Sequence, residues 1–197
     1  MYEKNAKRIE EQTRFQDYGA YLRSLDMHGE FSEFTPLYMS RIAQLTNKSN
    51  QFNLTTKRFH QNDLENLTKN PDYITLYGKL TDKFGDNGVV SVVIGRISGK
   101  AKDELHMELW LMSCRVLKRD MEYAMMDELV EKCREKGIKS VYGYYYPTLK
   151  NGMVKDFYAL QGFDKISEDE EGNTVWRFDI PVNYNYKNHY IGVNDNE

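Results

Sequence analysis

Two titratable side chains, His106 and Glu108, lie two residues apart in an apolar run that starts at Leu105. Residues two apart in a β-strand point to the same face of a sheet, so this run predicts that both share a face with Trp110 and Met112. Either group could remove a proton from an acceptor in a cleft, which makes both candidate catalytic bases. A solvated glutamate and a surface histidine are an equally open alternative.

Cys114 stands beside Arg115, at the turn where the apolar run ends and a helix begins. A neighbouring cation and a helix N-terminus both lower the pKa of a thiol, and a thiolate can carry an acyl group. The common alternative for a lone cysteine is an unreactive buried thiol. The separation of Cys114 from Cys133 matches no metal-binding or redox motif, and the four histidines lie far apart, so no metal site is predicted.

The elements that must position these groups begin with helices around one short strand. Residues 26–34 predict a strand, and residues 63–68 predict a short helix. Thr35-Pro36 predicts a helix start between them, because the threonine hydroxyl can cap and proline suits the first helical position. In residues 1–25, a charged linker precedes a predicted helix with one apolar stripe. The stripe consists of Phe15, Tyr18, Tyr21 and Leu22.

The middle of the chain predicts an antiparallel meander of three strands. Residues 73–80 alternate, and residues 89–94 are typical of a strand buried on both faces. Gly85-Asp86-Asn87-Gly88 has the composition of the turn between them, and residues 98–100 predict the next turn. The strand that begins at Leu105 completes the meander.

A helix from Asp120 to about Lys136 is predicted by apolar residues at every fourth position, with Gly137 at the expected C-cap. A tyrosine-rich strand, a short helix and a final hairpin follow. Residues 183–197 are rich in Asn and Tyr and lack periodicity, so we expect them to be a poorly ordered polar tail.

Length and charge restrict the class of protein. With 197 residues, 40% of them hydrophobic, and a net charge of -3, the chain fits one sizeable globular core. No overall basic field predicts nucleic acid or an anionic membrane as a partner. The charged start lacks the apolar segment of a signal peptide, and no stretch approaches the roughly 20 apolar residues of a membrane span. A cytoplasmic protein with free thiols is expected.

Four sequence blocks carry a family resemblance: residues 44–58 (QLTNKSNQFNLTTKR), 84–88 (FGDNG), 110–117 (WLMSCRVL) and 148–151 (TLKN). Together with the element order, they resemble the GNAT superfamily of acyltransferases over residues 26–182. Within it they are similar to the C-terminal part of FkbH-like proteins, which join a HAD-type phosphatase domain to a GNAT-like domain and load a glyceryl unit onto an acyl carrier protein. No Asp-x-Asp-x-Thr/Val signature stands near the start, so a phosphatase is expected only as a separate partner.

The fold that this resemblance implies is an α/β, GNAT-like acyltransferase fold. Its mixed central sheet combines an antiparallel meander with splayed parallel strands and is flanked by helices. Residues 1–25 would then be a linker or helical N-terminal segment, residues 26–182 the GNAT-like domain and residues 183–197 the tail.

The resemblance also implies a coenzyme A pyrophosphate turn of pattern Gln/Arg-x-x-Gly-x-Gly/Ala before the long helix. Free N–H groups and the helix dipole favour an anion at such a position. Arg115 fits the first place, but Lys118 and Asp120 stand where glycines are expected. Lys118 and Arg119 could bind a phosphate by charge, whereas the carboxylates of Asp120 and Glu122 would repel it. The alternative is that Asp120 is simply an N-cap.

A further implication is a gap between the third and fourth long strands, into which a pantetheine arm adds like an extra strand. Asn151 would touch the arm, and Tyr158 would protonate the departing thiolate, a role that suits a pKa near 10. Met112 and Cys114 are the other predicted cofactor contacts. Tyr158 could instead be a packed aromatic, and residues 47–58 could line the acceptor side or form a hydrogen-bonded turn between two helices.

Two functions are therefore predicted. The first is an acyltransferase that moves an acyl group from a pantetheine thioester, either acyl-CoA or an acyl carrier protein, to an unknown acceptor, using Tyr158, Glu108 and His106. The second is a non-catalytic, degenerate GNAT module that docks an acyl carrier protein for a separate FkbH-like phosphatase and glyceryl-transfer partner. Asn151 and Tyr158 favour the first function. The residues at the two glycine positions favour the second.

Overall fold

The structure is a computed structural model that describes residues 2–14 and 17–193. Phe15 of the predicted apolar stripe and the last four residues of the tail lie outside the described residues. The helices are α1 Tyr2–Arg14, α2 Tyr18–Ser24, α3 Met39–Lys48, α4 Gln61–Lys69, α5 Met121–Glu135 and α6 Phe157–Leu160. The strands are β1 Met27–Ser32, β2 Tyr73–Asp82, β3 Gly85–Ser98, β4 Glu104–Met112, β5 Ser140–Tyr145, β6 Asp164–Glu168, β7 Thr174–Asp179 and β8 Ile191–Val193.

One sheet of eight strands, in the order β6-β7-β5-β4-β3-β2-β1-β8, organises the molecule. The predicted meander β2-β3-β4 is antiparallel, and β5 runs parallel to β4. β4 and β5 pair only from Glu104↔Ser140 to His106↔Tyr142 and then diverge. The mixed sheet with splayed parallel strands is therefore confirmed.

Helices cover both faces of the sheet and close two apolar clusters. α5 and α6 pack on one face, where Met125, Leu129 and Phe157 are buried against Leu76 and Val93. α3 and α4 pack on the other face, and their buried apolar residues are Met39, Ile42, Leu45 and Leu64. None of the helices in the described part of the chain is long and apolar enough to cross a bilayer.

A β-bulge at Glu108 divides β4 into two registers. Ile94 pairs with Leu109 and Gly95 with Met107, so Glu108 is the extra residue. A bulge reverses the alternation of side chains beyond it. The prediction that Trp110 shares a face with His106 and Glu108 is therefore wrong: Trp110 and Met112 instead lie in the α5 cluster.

Two predicted element starts are shifted. α3 begins at Met39, and the segment that starts at Pro36 forms a turn before it. The β2–β3 turn lies at Lys83 and Phe84, because Asp82 pairs with Gly85. Gly85 and Gly88 have positive φ and lie after the turn, where the pairing of β2 with β3 is irregular. The two glycines therefore allow the irregular strand backbone and do not form the turn itself.

The N-terminal helices pack against the sheet. The Arg8 guanidinium bonds both oxygens of the buried Asp82 carboxylate, at 2.6 and 2.8 Å. Tyr21 and Leu22 of α2 join the same apolar cluster as α5. The charged start is therefore a helix held to the β2–β3 hairpin by a buried ion pair.

The expectation of a poorly ordered tail is wrong for residues 183–193. The Asp127 carboxylate accepts hydrogen bonds from the backbone N–H groups of Lys187 and Asn188 and from the Tyr184 hydroxyl, at 2.7–3.0 Å. These bonds lead the chain to β8, which pairs parallel with β1. Periodicity could not reveal this, since one carboxylate on α5 fixes the segment.

We expect Asp127→Ala to lower the free energy of unfolding by about 2–4 kcal/mol, because two N–H groups and a hydroxyl lose their shared acceptor in a partly buried place. Urea unfolding measures the loss, and hydrogen exchange at Ile191 should accelerate. Asp164→Ala, at an exposed position of β6, is the matched control. Unchanged exchange at Ile191 in the Asp127 variant would show that the tail is held by other contacts.

Candidate active site

The β4–β5 gap, defined here as the space between the diverging ends of these strands, is filled by the chain itself. We call residues 52–54 the bridging segment. On the β4 side, the Leu54 N–H donates to the Trp110 carbonyl at 3.1 Å, and the Met112 N–H donates to the Phe52 carbonyl at 3.0 Å. Asn53 forms an antiparallel bridge with Leu111. The segment therefore takes the edge of β4 that an added strand would use.

The bridging segment is also bonded to the β5 side. The Tyr146 N–H donates to the Leu54 carbonyl at 2.9 Å. The Asn151 amide, fully buried, donates to the carbonyls of Asn53 and Tyr146 at 3.0 and 2.9 Å, and its oxygen accepts from the Thr148 N–H at 2.7 Å. The predicted pantetheine contact Asn151 is thus engaged in joining the bridging segment to the end of β5.

The polar residues of block 44–58 hold the bridging segment in place. Thr55 donates its hydroxyl to the Glu108 carbonyl at 2.7 Å, and Asn53 donates to the Ser49 carbonyl at 3.1 Å. The Arg58 guanidinium donates to the carbonyls of Thr46 and Ser49 at 2.6 and 2.7 Å. Of the two interpretations left open for residues 47–58, the hydrogen-bonded turn between two helices is confirmed.

Tyr158, the predicted general acid, is 1% exposed and packs among aromatic rings. Its ring lies against Gly143, where an added Cβ would come within 2.6 Å of it, and near Trp110 and Phe163. Burial strongly raises the pKa of Tyr158, and a hydrogen bond from the Tyr144 backbone opposes this only in part. The phenol keeps its proton, but the raised pKa makes it a weaker acid than the predicted role requires, and its side chain is buried while the gap is filled.

The turn before α5 has the backbone of a glycine-containing turn without the glycines. Lys118 and Asp120 have φ angles of 60° and 74°, in the left-handed region that glycine favours. These are the two positions where the family resemblance places glycines. The Tyr18 hydroxyl donates to the Lys118 carbonyl, so α2 covers this turn.

Two carboxyl groups occupy the first turn of α5. Asp120 is the N-cap residue of α5, as the alternative predicted, but its side chain makes no cap hydrogen bond to the helix and accepts instead from the His189 N–H at 2.8 Å. Burial raises the pKa of the Asp120 carboxyl group and also that of the Glu122 carboxyl group. One Glu122 oxygen is buried with no hydrogen-bond partner among the described residues. Acidic groups, not a phosphate site, thus surround this helix N-terminus.

Arg119 is turned away from the turn surface. Its side chain is 10% exposed and lies 3.5 Å from the Asp82 carboxylate that Arg8 also binds. Burial lowers the pKa of the Arg119 guanidinium. Arg119, a predicted phosphate ligand, is therefore part of a structural ion-pair cluster with Arg8 and Asp82.

Three predicted contacts, Met112, Cys114 and Arg115, line a cavity of about 520 Å³ above the filled gap. The exposed Cys114 thiol donates to the Gln51 side-chain carbonyl at 3.3 Å. We call this space the basic cavity, because it carries four cationic side chains and, within the described chain, no acidic one. Its lining residues are Arg41, Leu45, Lys48, Ser49, Asn50, Gln51, Phe52, Met112, Ser113, Cys114, Arg115 and Lys150.

His106 and Glu108 share a face, as predicted, within a row of polar side chains across the sheet. Tyr73 pairs with Arg96, Arg96 with His106, and His106 with Tyr142. His106 Nδ1 lies 2.6 Å from the Tyr144 hydroxyl, and its ring stacks on that of Tyr142 at 4.6 Å. The arrangement can relay a proton between an imidazole and a phenol on a half-buried sheet face.

Glu108 and His106 differ in their partners. Glu108 Oε1 lies 3.5 Å from both the Tyr73 hydroxyl and the Arg96 guanidinium. Burial lowers the pKa of His106, although the nearby Glu104 carboxylate acts in the opposite direction. A neutral imidazole at physiological pH is the form that a general base requires.

Sequence reasoning missed the tyrosine partners of His106 and the bridging role of Asn53. The alternation Tyr142-Gly143-Tyr144 in β5 was a usable signal, since parallel pairing places alternate tyrosines beside His106 on one face. Nothing local marks Asn53 as a bridge, because its partners lie on distant strands.

No protein-family model and no curated protein matches this sequence. Similar solved structures include the GNAT domain of S. lividans PAT, with 17% identity and a TM-score of 0.58 over 76% of this chain and 89% of that chain. Ard1 from Thermoplasma volcanium has 18% identity and a TM-score of 0.57, covering 78% and 98%. The PaiA N-acetyltransferase from Thermoplasma acidophilum, solved in complex with coenzyme A, has 13% identity and a TM-score of 0.56, covering 77% and 99%.

These similarities define the class of fold. The chain has the α/β fold of GNAT acetyltransferases, a mixed sheet of parallel and antiparallel strands flanked by helices. Kinship with FkbH-like proteins stays a prediction from the four sequence blocks, and so do the roles of the site residues.

Asn151→Ala should free the bridging segment. Because the variant leaves the Thr148 N–H and two carbonyls without partners, we expect a loss of about 2–4 kcal/mol in the free energy of unfolding. Faster amide exchange at Leu54 and Tyr146 should accompany it. Asn185→Ala, at an exposed position of the tail, is the control. Unaltered exchange at Leu54 would contradict the bridging role.

The lowered pKa of His106 predicts a pH dependence of stability. The folded state binds fewer protons than the unfolded state, whose histidine has its ordinary pKa of 6.5, so His106 costs stability as pH falls through 6.5. We expect His106→Gln to lose less stability than the parent between pH 7.5 and about pH 5, as measured by urea unfolding. A parallel loss in both proteins would disprove the shift.

Proposed function

We propose that this chain is a GNAT-fold acyl-transfer module that receives its pantetheine thioester on an acyl carrier protein and not as free coenzyme A. The observation that carries this proposal is the turn before α5, where the carboxyl groups of Asp120 and Glu122 stand at the helix N-terminus that the pyrophosphate of free coenzyme A would need. The acyl group and its acceptor are left open.

A filled gap opposes the usual entry of a pantetheine arm. An arm that adds like a strand needs the Trp110 carbonyl and the Met112 N–H, and the bridging segment already uses both. Entry would break those bonds and the Asn151 bonds behind them. Free coenzyme A would have to compensate for this loss from contacts elsewhere.

The turn before α5 gives little such compensation. Coenzyme A carries a pyrophosphate, which needs free N–H groups at a helix N-terminus. Here the carboxyl groups of Asp120 and Glu122 surround that position, and the Tyr18 hydroxyl donates to the Lys118 carbonyl two residues before it. A carrier-bound arm has a single phosphate and no adenosine diphosphate, so it does not depend on this turn.

The carrier protein itself is supported by the resemblance to FkbH-like proteins. In that family the GNAT-like domain accompanies a HAD-type phosphatase and serves a carrier protein. A separate HAD-type phosphatase is accordingly the second partner that we propose. Removal of the acceptor proton falls to His106 or Glu108, and protonation of the departing pantetheine thiolate to Tyr158 once the gap opens.

A second candidate function, a docking module with no catalytic group, is favoured by the burial of Tyr158. With 1% of its surface exposed, the phenol cannot reach a thiolate in the present arrangement. Transfer chemistry would then belong to the phosphatase-type partner. Both candidate functions involve the carrier protein. They differ only in whether this chain or the phosphatase-type partner catalyses the transfer.

Calorimetric titration of the full chain distinguishes the thioester donors. We expect an acetylated, phosphopantetheinylated acyl carrier protein to bind with micromolar affinity, corresponding to about -8 kcal/mol, and acetyl-CoA to show no binding at that concentration. Micromolar binding of acetyl-CoA without binding of the carrier would overturn the proposal.

Loss of the carrier thioester in a single turnover, with a primary amine supplied as the acceptor of the acyl group, then separates the two candidate functions. If the module is catalytic, His106→Gln or Tyr158→Phe should slow acyl transfer by about 10²–10⁴-fold, the usual contribution of a positioned acid or base. Carrier binding should be unchanged in both variants. If neither variant changes the rate of thioester loss, the docking function holds and the catalytic roles are wrong.

A further inference from the structure

The basic cavity is a cationic concave site that the transfer chemistry leaves unused. Its cations come from three separate parts of the chain: Arg41 and Lys48 from α3, Arg115 from the turn after β4, and Lys150 from the loop after β5. No acidic side chain is among its lining residues in the described chain. Several cationic side chains that converge without a carboxylate create a positive potential, which favours an anionic ligand.

Hydrogen bonds hold two walls of the cavity. Arg58 binds the carbonyls of Thr46 and Ser49, and so fixes the end of α3 and the segment that leads to Gln51. Ser113 accepts from the Arg115 N–H and guanidinium at 3.4 and 3.3 Å. The cations are thus carried on a hydrogen-bonded framework and not on a free loop.

Like charges face each other across the cavity. Arg41 donates to Gln44 at 2.7 Å, and its pKa is lowered, first by burial and then by the positive charge of Arg115. Two guanidinium groups that repel each other store electrostatic energy that an anion between them would release. Asn50, Gln51 and Ser113 add neutral hydrogen-bonding groups along the wall.

We propose that the basic cavity binds an organic phosphate, held by Arg41, Lys48, Arg115 and Lys150. Arginine guanidinium groups bind phosphate oxygens in pairs, and lysines add charge. This assignment rests on the proposed function: the phosphate is that of the carrier's phosphopantetheine arm. A free phosphorylated metabolite has the same chemistry, and the experiment separates these two sources.

The position of the cavity fits the phosphopantetheine source. Phe52 and Met112 line it, and their backbones form the last hydrogen bond of the bridging segment to β4. A phosphate held here would place the arm's first atoms at the top of the β4–β5 gap. The arm would then meet the end of the bridging segment. Displacement of the segment would begin with one hydrogen bond, from the Met112 N–H to the Phe52 carbonyl.

Calorimetry of the full chain with 4′-phosphopantetheine, pantetheine and glycerol phosphate tests the inference. We expect 4′-phosphopantetheine to bind at least about tenfold more tightly than pantetheine, because charge-assisted bonds to phosphate are strong. Arg41→Gln and the double variant Lys48→Gln/Lys150→Gln should each weaken it by about tenfold or more. The exposed Lys139, at the opposite end of the sheet, supplies the control Lys139→Gln.

The outcomes are separable. Equal binding of 4′-phosphopantetheine and pantetheine, or no effect of the cavity variants, would overturn the phosphate site even if the carrier protein binds. Glycerol phosphate binding as tightly as 4′-phosphopantetheine would support the site and assign it to a free phosphorylated metabolite. Phosphate-dependent binding that the cavity variants weaken, together with no carrier binding, would support the site and reject the carrier proposal.

Discussion

The structure depends on a simple requirement: backbone N–H and C=O groups at the inner edges of two diverging strands must be hydrogen-bonded when they are buried. β4 and β5 separate after His106, and the exposed edges of their ends would otherwise lack partners. Here the bridging segment supplies them from within the chain. The structural roles of Asn151 and Tyr158 follow from this filling of the gap.

Filling the gap changes what familiar residues do. Asn151 directs its whole hydrogen-bonding capacity to the protein, because the bridging segment and the end of β5 both need it. Tyr158 packs beneath the filled gap and keeps its proton. The same side chains that could serve a thioester therefore stabilise the fold in its present form, and access to them requires the bridging segment to move.

Charge is distributed in the opposite way to that expected for a pyrophosphate site. The helix N-terminus, where an anion would gain from the dipole, is surrounded by Asp120 and Glu122. Arg119 is used in the ion-pair cluster around Asp82. Positive charge converges instead in the basic cavity, so we expect a phosphate to bind beside α3 and not at the start of α5.

Sequence patterns predicted most of the architecture. The meander and the long helix before β5 follow from apolar periodicity, which reports each element's own burial, and the final hairpin follows from the turn residues Glu171-Gly172-Asn173, since β6 itself is exposed throughout. The resemblance also placed Lys118 and Asp120 at glycine positions, and their left-handed backbone agrees with that placement. The site was less predictable: Met112, Cys114 and Arg115 do line a cavity, but Arg119 and Asn151 have structural partners that no spacing could indicate.

What the sequence by itself determined is most of the helices and strands before the tail and their order, because these depend on residues close together in the chain. Tertiary structure alone decided the bulge at Glu108, the docking of the tail on Asp127 and the closing of the gap. Each of these depends on hydrogen bonds between groups far apart in sequence: backbone pairing for the bulge and the gap, and the Asp127 carboxylate for the tail. Such pairing leaves no local pattern, because one residue of register or one distant hydrogen-bond partner is enough to change it.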